Sequence, residues 1–456
     1  LQGRHFARQY SESGFMKAID YYRSALELDP SFTQALAGLA DSYVFLADFG
    51  NLPQGEAQQL AREAVDKALS LDPDSPEAHA AMGLLLHNMS QYQAAGNHFE
   101  HALKVNPNHV NALIWYRQTL SLQNRNTLAF ELAKKAMNLD PLSMPVRRHY
   151  AFQLIAMHED DAAMNEIQAM IAANPDDPTA YEIWGDLFRM RGLPHKAIPM
   201  YRNAHRLRPG DIYMAARSVQ AALQLGDDTL VDYWLSEARQ RGSDAQWTRT
   251  AEIWAMYAKG DFNALLNQVD QLLALQPGQR GLLGYRYVAL SSMGQMDAAR
   301  AALLQAMGPN GYQHGQSISQ DQIPLAVHVA HVLGQAGDTE ERDRLLFDIS
   351  RIVEKLSHDE PANENLMIMN AQLAAVRDDL QATLRHLESA VQLGFASHWE
   401  LIRDPVFSHW QDNEQFQAFY QGMLKSAASM LHEYKANNPE DKSTPTRGVF
   451  GLSLIH

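Results

Sequence analysis

The chain has 456 residues, of which 46% are hydrophobic and 20% are charged, and it contains no cysteine. The lack of cysteine excludes disulfides, thiolate metal sites and a cysteine nucleophile. A formal net charge of −15 disfavours nonspecific binding to nucleic acid or to anionic lipid through this segment, because both need clustered basic residues. The sequence has no apolar run of about 18 residues, so we predict no membrane span in this segment.

Prolines recur at a fixed distance in the first half of the chain. Four of the five gaps are 34 residues long in the series Pro30, Pro73, Pro107, Pro141, Pro175 and Pro209. Each of these prolines is expected to end a helix, because proline lacks an N–H and clashes with the preceding turn. Ser243 and then Pro277 take the next two places at the same spacing, and Pro309 closes one further segment.

The residues between the prolines repeat as well. Small and aromatic residues alternate at helical spacing in the unit containing Tyr181, Trp184, Gly185, Phe188, Ala197, Tyr201, Ala204 and Pro209. This pattern and the 34-residue period resemble the tetratricopeptide repeat, a helix–turn–helix hairpin. The resemblance implies an all-α, right-handed solenoid of about 10 to 12 hairpins, because a single hairpin cannot bury its own apolar face.

The expected organisation follows the chain. We predict a solenoid over residues 1–309, with a longer turn near 47–56 that accounts for the one 43-residue gap between prolines. The polar segment 310–322 predicts a loop or a break between two stacks. Further helical hairpins and a cap are expected over 323–435. Residues 436–456 are polar and aperiodic, and we predict that they are disordered.

Two stretches carry a narrower resemblance. Residues 17–43 and 67–86 are similar to the opening of the C-terminal tetratricopeptide halves of two kinds of bacterial protein. These are membrane-anchored winged-helix transcription activators and class III adenylate cyclases. The resemblance implies a bacterial signalling protein, and we expect the chain to be the C-terminal portion of something longer because it starts at Leu1.

The end of the chain resembles the closing cap of the same proteins. That cap has an Asp-Pro-x-Phe turn, here Asp404 to Phe407, followed by a final helix around Phe416. Asn413 and Glu414 stand where the cap family usually has arginine and proline, which is a departure from the pattern.

Signatures of catalytic and cofactor sites are missing from the sequence. It contains no phosphate-binding, dinucleotide-binding, zincin or hydrolase-elbow motif. We therefore predict that the chain is not an enzyme and that it has no catalytic, metal or cofactor site.

Histidines are numerous, and two pairs are spaced three residues apart. His98 with His101, and His328 with His331, could each share a helix face. A metal site would need a third ligand, so we interpret these residues as solvated or interhelical. The alternative is that their protonation near pH 6 tunes contact with a partner.

The inner face of the solenoid is the predicted binding surface. In tetratricopeptide arrays the first helix of each hairpin lines the concave groove, and the resemblance places ten residues there: Asp41, Glu77, Arg148, Glu182, Asp186, Arg189, Tyr213, Trp247, Trp254 and Tyr257. The acidic members favour a basic or amphipathic protein or peptide. The aromatic members have the composition of a binding hot spot, or else the drifting repeats bury them between hairpins.

Three functions remain open from the sequence. The first is a noncatalytic protein interaction or sensory module that binds a protein or peptide in its concave groove. The second is the C-terminal part of a transcription regulator whose DNA-binding domain lies upstream, and the third is the regulatory part of an enzyme such as a nucleotide cyclase. The bacterial cytoplasm and the periplasm both fit, the latter if an upstream transmembrane helix exists. The oligomeric state stays open.

Overall fold

The computed structural model describes residues 1–8, 11–48, 52–209, 211–243, 245–275, 279–308, 312–318, 322–360 and 362–439, and within these ranges the chain forms no strand. The helices are α1 Gln2–Ala7, α2 Glu12–Leu28, α3 Thr33–Asp48, α4 Gln54–Leu71, α5 Pro76–Asn88, α6 Tyr92–Val105, α7 Val110–Leu122, α8 Asn126–Leu139, α9 Met144–Ala156, α10 Asp160–Ala173, α11 Pro178–Met190, α12 Pro194–Leu207, α13 Ile212–Leu225, α14 Asp228–Gly242, α15 Gln246–Lys259, α16 Phe262–Leu275, α17 Arg280–Ser292, α18 Met296–Ala306, α19 Ile323–Gln335, α20 Thr339–Asp359, α21 Glu364–Val376, α22 Leu380–Gln392, α23 His398–Arg403, a 3-10 helix Pro405–Trp410 and α24 Glu414–Asn437.

The helices pair as consecutive hairpins, from α1 with α2 to α21 with α22. The first helix of a hairpin also packs on the first helix of the next, as α3 does on α5 and α13 on α15. We call these first members the inner helices. The arrangement confirms the predicted all-α solenoid.

Small residues at the repeat spacing build the core. Alanines spaced 34 residues apart are buried on the second helices, at Ala61, Ala95, Ala129, Ala163 and Ala197. Inner helices approach their partners through glycine. A Cβ atom on Gly83 would lie 2.6 Å from the Phe99 ring, so only a glycine leaves room for that ring.

Side-chain caps close the junctions between hairpins. Asp29 ends α2, and its carboxylate accepts a hydrogen bond from the Ser31 backbone N–H at 2.9 Å. Asp72 does the same for the Asp74 N–H at 3.2 Å after α4. These bonds favour a turn where the following proline forbids further helix. The predicted closing residues Pro277 and Pro309 lie outside the described residues.

The turn inside each hairpin has its own period. A residue with positive φ occurs every 34 positions, at Ser90, Asn124, His158, Gly192, Gly226, Gly260 and Gly294. This left-handed residue lets the chain reverse within three residues, for example between α11 and α12. The turns therefore line up along one edge of the solenoid, which we call the turn edge.

Most of the extra residues between Pro30 and Pro73 lie in longer helices. Helices α3 and α4 contain 16 and 18 residues, whereas α5 and α6 contain 13 and 14. The prediction of a longer turn near 47–56 was wrong for most of the extra residues, because they belong to α3 and α4. Amphipathic helix simply continues for about one more turn in each member of this hairpin.

The C-terminal hairpins fold back onto the turn edge. Glu360 ends α20, and its Oε1 accepts a hydrogen bond from the Thr127 N–H at 2.5 Å. Asn363 Nδ2 donates to Asn124 Oδ1 at 3.5 Å. These partners are more than 230 residues apart in sequence. The junction between α20 and α21 thus packs against the fourth hairpin.

Further along the same edge, the backbone of the solenoid contacts the backbone of the C-terminal hairpins. A Cβ on Gly192 would lie 3.0 Å from the Gly394 carbonyl oxygen, and a Cβ on Gly394 would collide with the Met190 carbonyl. At the eighth hairpin, a Cβ on Gly260 would lie 2.8 Å from Arg403 Nη2. At Gly192, Gly260 and Gly394, glycine accommodates both the positive φ and the close approach of the neighbouring chain.

The last helix, α24, completes the closure on α12 and α13. Arg202 Nη2 donates to the Tyr434 hydroxyl at 2.9 Å, and Lys435 Nζ lies 2.7 Å from Asp227 Oδ2. Tyr434 and Trp399 belong to the same buried apolar cluster as the seventh and eighth hairpins. The C-terminal hairpins and the solenoid therefore share a core.

The segment predicted as a loop or break is described only over 312–318 and at Gln322. Tyr312 and Ile318 join one apolar cluster that extends from Tyr287 to Leu373. The proposed boundary between two stacks stays a prediction. Residues 440–456, most of the predicted tail, lie outside the described residues.

Replacing Gly83 by alanine tests the packing register. We expect Gly83→Ala to lower the free energy of unfolding by about 1–3 kcal/mol, because the new methyl group overlaps the Phe99 ring. Gly55→Ala is the matched control, since a Cβ there meets no atom of the described chain within 4 Å. Urea unfolding of both variants measures the difference, and equal midpoints would contradict the register.

Replacing Gly394 by alanine tests the fold-back. We expect Gly394→Ala to release the C-terminal hairpins from the turn edge, and so to speed amide hydrogen exchange across α23 and α24. Gly337→Ala controls for backbone strain, because Gly337 also has positive φ (81°, against 114° at Gly394) but meets no atom of the described chain. If both variants exchange alike over α23 and α24, contact with the edge does not hold these helices.

Candidate partner-binding groove

The ten predicted groove residues all lie on inner helices. Asp41 is on α3, Glu77 on α5 and Arg148 on α9. The other seven are on α11, α13 and α15: Glu182, Asp186, Arg189, Tyr213, Trp247, Trp254 and Tyr257. Arg148 contacts Glu182, and a second set of contacts runs from Asp186 through Tyr213 to Trp247.

Arginines and carboxylates alternate along α9, α11 and α13. Arg148 Nε donates to Glu182 Oε1 at 2.9 Å. The Nε atoms of Arg217 and Arg189 lie 3.6 and 3.7 Å from Asp186 Oδ1. We call these five residues the charge ladder. Arg217 was missed by the sequence analysis, although it follows Tyr213 by four residues and so shares its helix face.

Both carboxylates of the ladder are buried, which argues against the expectation that they attract a basic partner. Glu182 and Asp186 are 6% and 2% exposed. Asp186 also accepts a hydrogen bond from the Tyr201 hydroxyl at 2.8 Å. Burial raises the pKa of Glu182, and the neighbouring Arg148 opposes that rise. These acids hold the wall of the groove together instead of offering free negative charge to a partner.

An aromatic pair stands beside the ladder. The rings of Tyr213 and Trp247 meet edge to face with centroids 4.7 Å apart. Arg217 Nε donates to the Tyr213 hydroxyl at 2.8 Å, and its guanidinium lies 5.0 Å from the Tyr213 ring centroid. Both aromatic residues are half-buried and occupy the second position of their helices, away from the turn edge.

The other end of the inner helices is covered by the C-terminal hairpins. Tyr257 is only 7% exposed, and its ring centroid lies 5.6 Å from that of Trp399. Trp254 is half-buried on the same helix. The alternative interpretation, burial of the rings, therefore holds for Tyr257, which is covered both by the C-terminal cap and by α17 of the next hairpin. Arg189 interacts electrostatically with Glu364 and Glu400 of the cap region.

Asp41 and Glu77 lie nearer the start of the solenoid. Both are half-buried. Burial raises the pKa of Asp41 well above its usual value, so this carboxyl is neutral over a wider pH range. Glu77 Oε1 accepts a hydrogen bond from Gln34 Nε2 at 3.4 Å.

The histidine pairs are interhelical. His98 Nδ1 lies 2.9 Å from His79 Nδ1, and His101 Nε2 lies 3.2 Å from Asp74. His328 Nε2 lies 3.1 Å from Asp404 Oδ1. Within the described ranges, no group of three or more metal-ligating side chains is arranged to hold a metal ion. The same ranges contain no helix of sufficient length and hydrophobicity to span a bilayer.

Known proteins resemble the chain through its repeats. A tetratricopeptide repeat family model matches residues 64–96. The transcriptional regulator HilA of Salmonella typhimurium is 24% identical over 141 residues, which are 31% of this chain and 26% of HilA. Human tetratricopeptide repeat protein 6 is 24% identical over 200 residues, covering 44% of this chain and 37% of that protein. The chain thus spans well under half the length of these relatives.

Two solved structures are also similar. The PilF protein of Pseudomonas aeruginosa aligns with a TM-score of 0.32 and 19% identity over 47% of this chain and 96% of PilF. A tetratricopeptide repeat protein of Parabacteroides merdae aligns with a TM-score of 0.40 and 15% identity over 55% of this chain and 97% of its own.

The 34-residue hairpins, the buried alanines of their second helices and the match to the family model lead to one conclusion. The chain is a tetratricopeptide repeat protein.

Proposed function

We propose that the chain is a noncatalytic interaction or sensory module of a bacterial signalling protein. Its tetratricopeptide repeats make it a protein–protein interaction module in general terms. The proposed specific role is to bind a protein segment or peptide on the inner helices, at the end of the groove away from the turn edge. The observation that carries this proposal is the half-buried pair Tyr213 and Trp247 next to Arg217.

The pair has the physical properties of a binding anchor. Tyrosine, tryptophan and arginine are enriched at interface positions where truncation costs most. The charge ladder fixes the Arg217 and Tyr213 side chains before a partner arrives, so little side-chain entropy remains to be lost on binding.

The partner is expected to be amphipathic. An apolar side chain would pack on the two rings, while polar groups of the partner would meet Arg148 and Arg217. The acids of the ladder are already paired with arginine, so preference for a basic partner rests on the overall charge of −15. Such long-range steering speeds association and weakens with salt.

A second candidate function is supported by the similarity to HilA, a transcriptional regulator. In this alternative, the chain is the C-terminal part of a transcription regulator, and binding of a partner at its interaction surface changes the activity of a DNA-binding domain. The sequence upstream of Leu1 tests it directly. A winged-helix domain there supports the regulator, and a catalytic domain there argues against it.

The groove proposal predicts the result of a peptide selection. Peptides selected from a random display library against the parent chain should bind Trp247→Ala at least about tenfold more weakly, because a hot-spot aromatic contributes over about 1.4 kcal/mol. Phe347→Ala is the matched control, since Phe347 is 62% exposed on the outer helix α20. Isothermal titration gives the affinities, and circular dichroism confirms that both variants are folded.

Two results would contradict the proposal. One is unchanged affinity of the selected peptides for Trp247→Ala and for Tyr213→Ala. The other is a loss of affinity in Phe347→Ala, which would place binding on the outer helices.

A further inference from the structure

A cavity of about 530 Å³ lies between the inner helices and the C-terminal cap. Its walls come from α15, α17, α19, α21, α23 and the 3-10 helix, with a contribution from the turn between α5 and α6. Sites for small molecules in proteins usually measure about 300–1,000 Å³ and are largely apolar with few polar groups. This cavity has the size and the composition of such a site.

Two aromatic rings of the wall, Trp399 and Tyr285, each stand nearly perpendicular to the ring of Tyr257. Tyr257 meets Trp399 at 87° with centroids 5.6 Å apart, and it meets Tyr285 at 75° with centroids 5.8 Å apart. Ring faces carry partial negative charge and attract cations.

The acidic side chains of the wall differ in how they are paired. Asp404 is satisfied, because its Oδ1 lies 3.1 Å from His328 Nε2 and its Oδ2 accepts from Gln372 Nε2 at 2.7 Å. Glu400 makes no ion pair among the described residues, and Ser397 is its hydrogen-bonding neighbour. It therefore stands at the cavity wall as a carboxyl without a cation.

The other charged groups around Glu400 do not neutralise the negative charge of its carboxylate. Burial raises the pKa of Glu400 to about 7, Ser397 lowers it, Glu364 and Asp404 raise it, and Arg189 lowers it. Arg189 is shared with Asp186 and Glu364. Arg280 also lines the cavity, at the first residue of α17. The surroundings of Glu400 favour either its protonation or the arrival of positive charge.

We propose that this cavity binds a small organic cation, an amine with an apolar or aromatic body, whose ammonium group pairs with Glu400 and whose body lies against Tyr257, Tyr285 and Trp399. A neutral ligand would leave the Glu400 carboxyl without a partner. An anionic ligand would meet Glu400 and Asp404 at close range. This site is distinct from the groove at Tyr213 and Trp247, so it stands whether or not a peptide binds there.

Three probes of one shape test the charge requirement: phenethylamine, 2-phenylethanol and 3-phenylpropionate. Isothermal titration with the full chain at about pH 8 should show the amine binding at least about tenfold more tightly than the alcohol, and the acid should not bind. Equal binding of amine and alcohol, or no binding of the amine at about 10 mM, overturns the proposal.

The variant Glu400→Gln tests the residue. It should reduce the amine affinity at least about tenfold and leave the alcohol affinity unchanged. Glu433→Gln is the matched control, because the Glu433 side chain is 53% exposed on α24 and does not line the cavity. The amine should bind more tightly as pH rises from about 6 to about 8, because Glu400 loses its proton over that range in the free protein. This pH dependence should weaken in Glu400→Gln, where His328 of the cavity wall, whose pKa is raised, still loses its proton. A flat profile in the parent, or an unchanged amine affinity in Glu400→Gln, contradicts the assignment.

Stability gives an independent readout. The ordinary glutamate pKa of 4.5 is raised to about 7 in the fold, so the buried carboxyl destabilises the folded state increasingly as pH rises between these values. Glu400→Gln removes that cost, and its melting temperature should exceed that of the parent by more at pH 8 than at pH 5. A variant that is less stable than the parent at pH 8 contradicts this placement of Glu400.

Discussion

Close approach between the turn edge and the C-terminal hairpins is the contact on which the rest of this structure depends. Glycines at 192 and 394 let two backbones pass within van der Waals distance, where any side chain would collide with a carbonyl group. Elsewhere along the turn edge, Asn363 forms a hydrogen bond with Asn124 and Lys435 forms an ion pair with Asp227. A tetratricopeptide array usually has contacts only between neighbouring repeats, and its stability is then a sum over neighbours. Here long-range contacts add to that sum and join the C-terminal hairpins to the middle of the solenoid.

Closure divides the inner surface into two functional zones. The end of the inner helices near the turn edge is covered by the cap. Tyr257 packs on Trp399 there and lines the cavity, and Arg189 interacts electrostatically with Glu400. The opposite end carries Tyr213 and Trp247 above the charge ladder. A protein segment and a small cation would therefore use different parts of the same helices. Because the cavity is bounded by both the solenoid and the cap, a ligand there would stabilise the closed arrangement over an open one.

Local periodicity explains how much of this could be predicted. The proline spacing and the buried alanines predict the hairpins, because both reflect contacts between residues close in sequence. A glycine series at 192, 226, 260 and 294 was also visible in the sequence, and it marks the turn edge. The fold-back could not be read in this way, since Glu360 and Thr127 share no pattern that links them. For the same reason the sequence predicted groove positions but not which of them are covered: it could not tell Tyr213, which is half-buried, from Tyr257, which the cap covers.

Cross-linking measures the closure most directly, because the chain contains no cysteine of its own. Asn124 and Asn363 contact each other through their side chains, so Asn124→Cys with Asn363→Cys places two thiols within reach of a short bifunctional maleimide. Asn108→Cys with Asn363→Cys is the control, since Asn108 lies at a junction between hairpins, away from the turn edge. With this cross-linker at low protein concentration, we expect a monomeric species with an intramolecular cross-link in the first variant and none in the second. Two free thiols in both variants, with the chains folded, would contradict a closed solenoid.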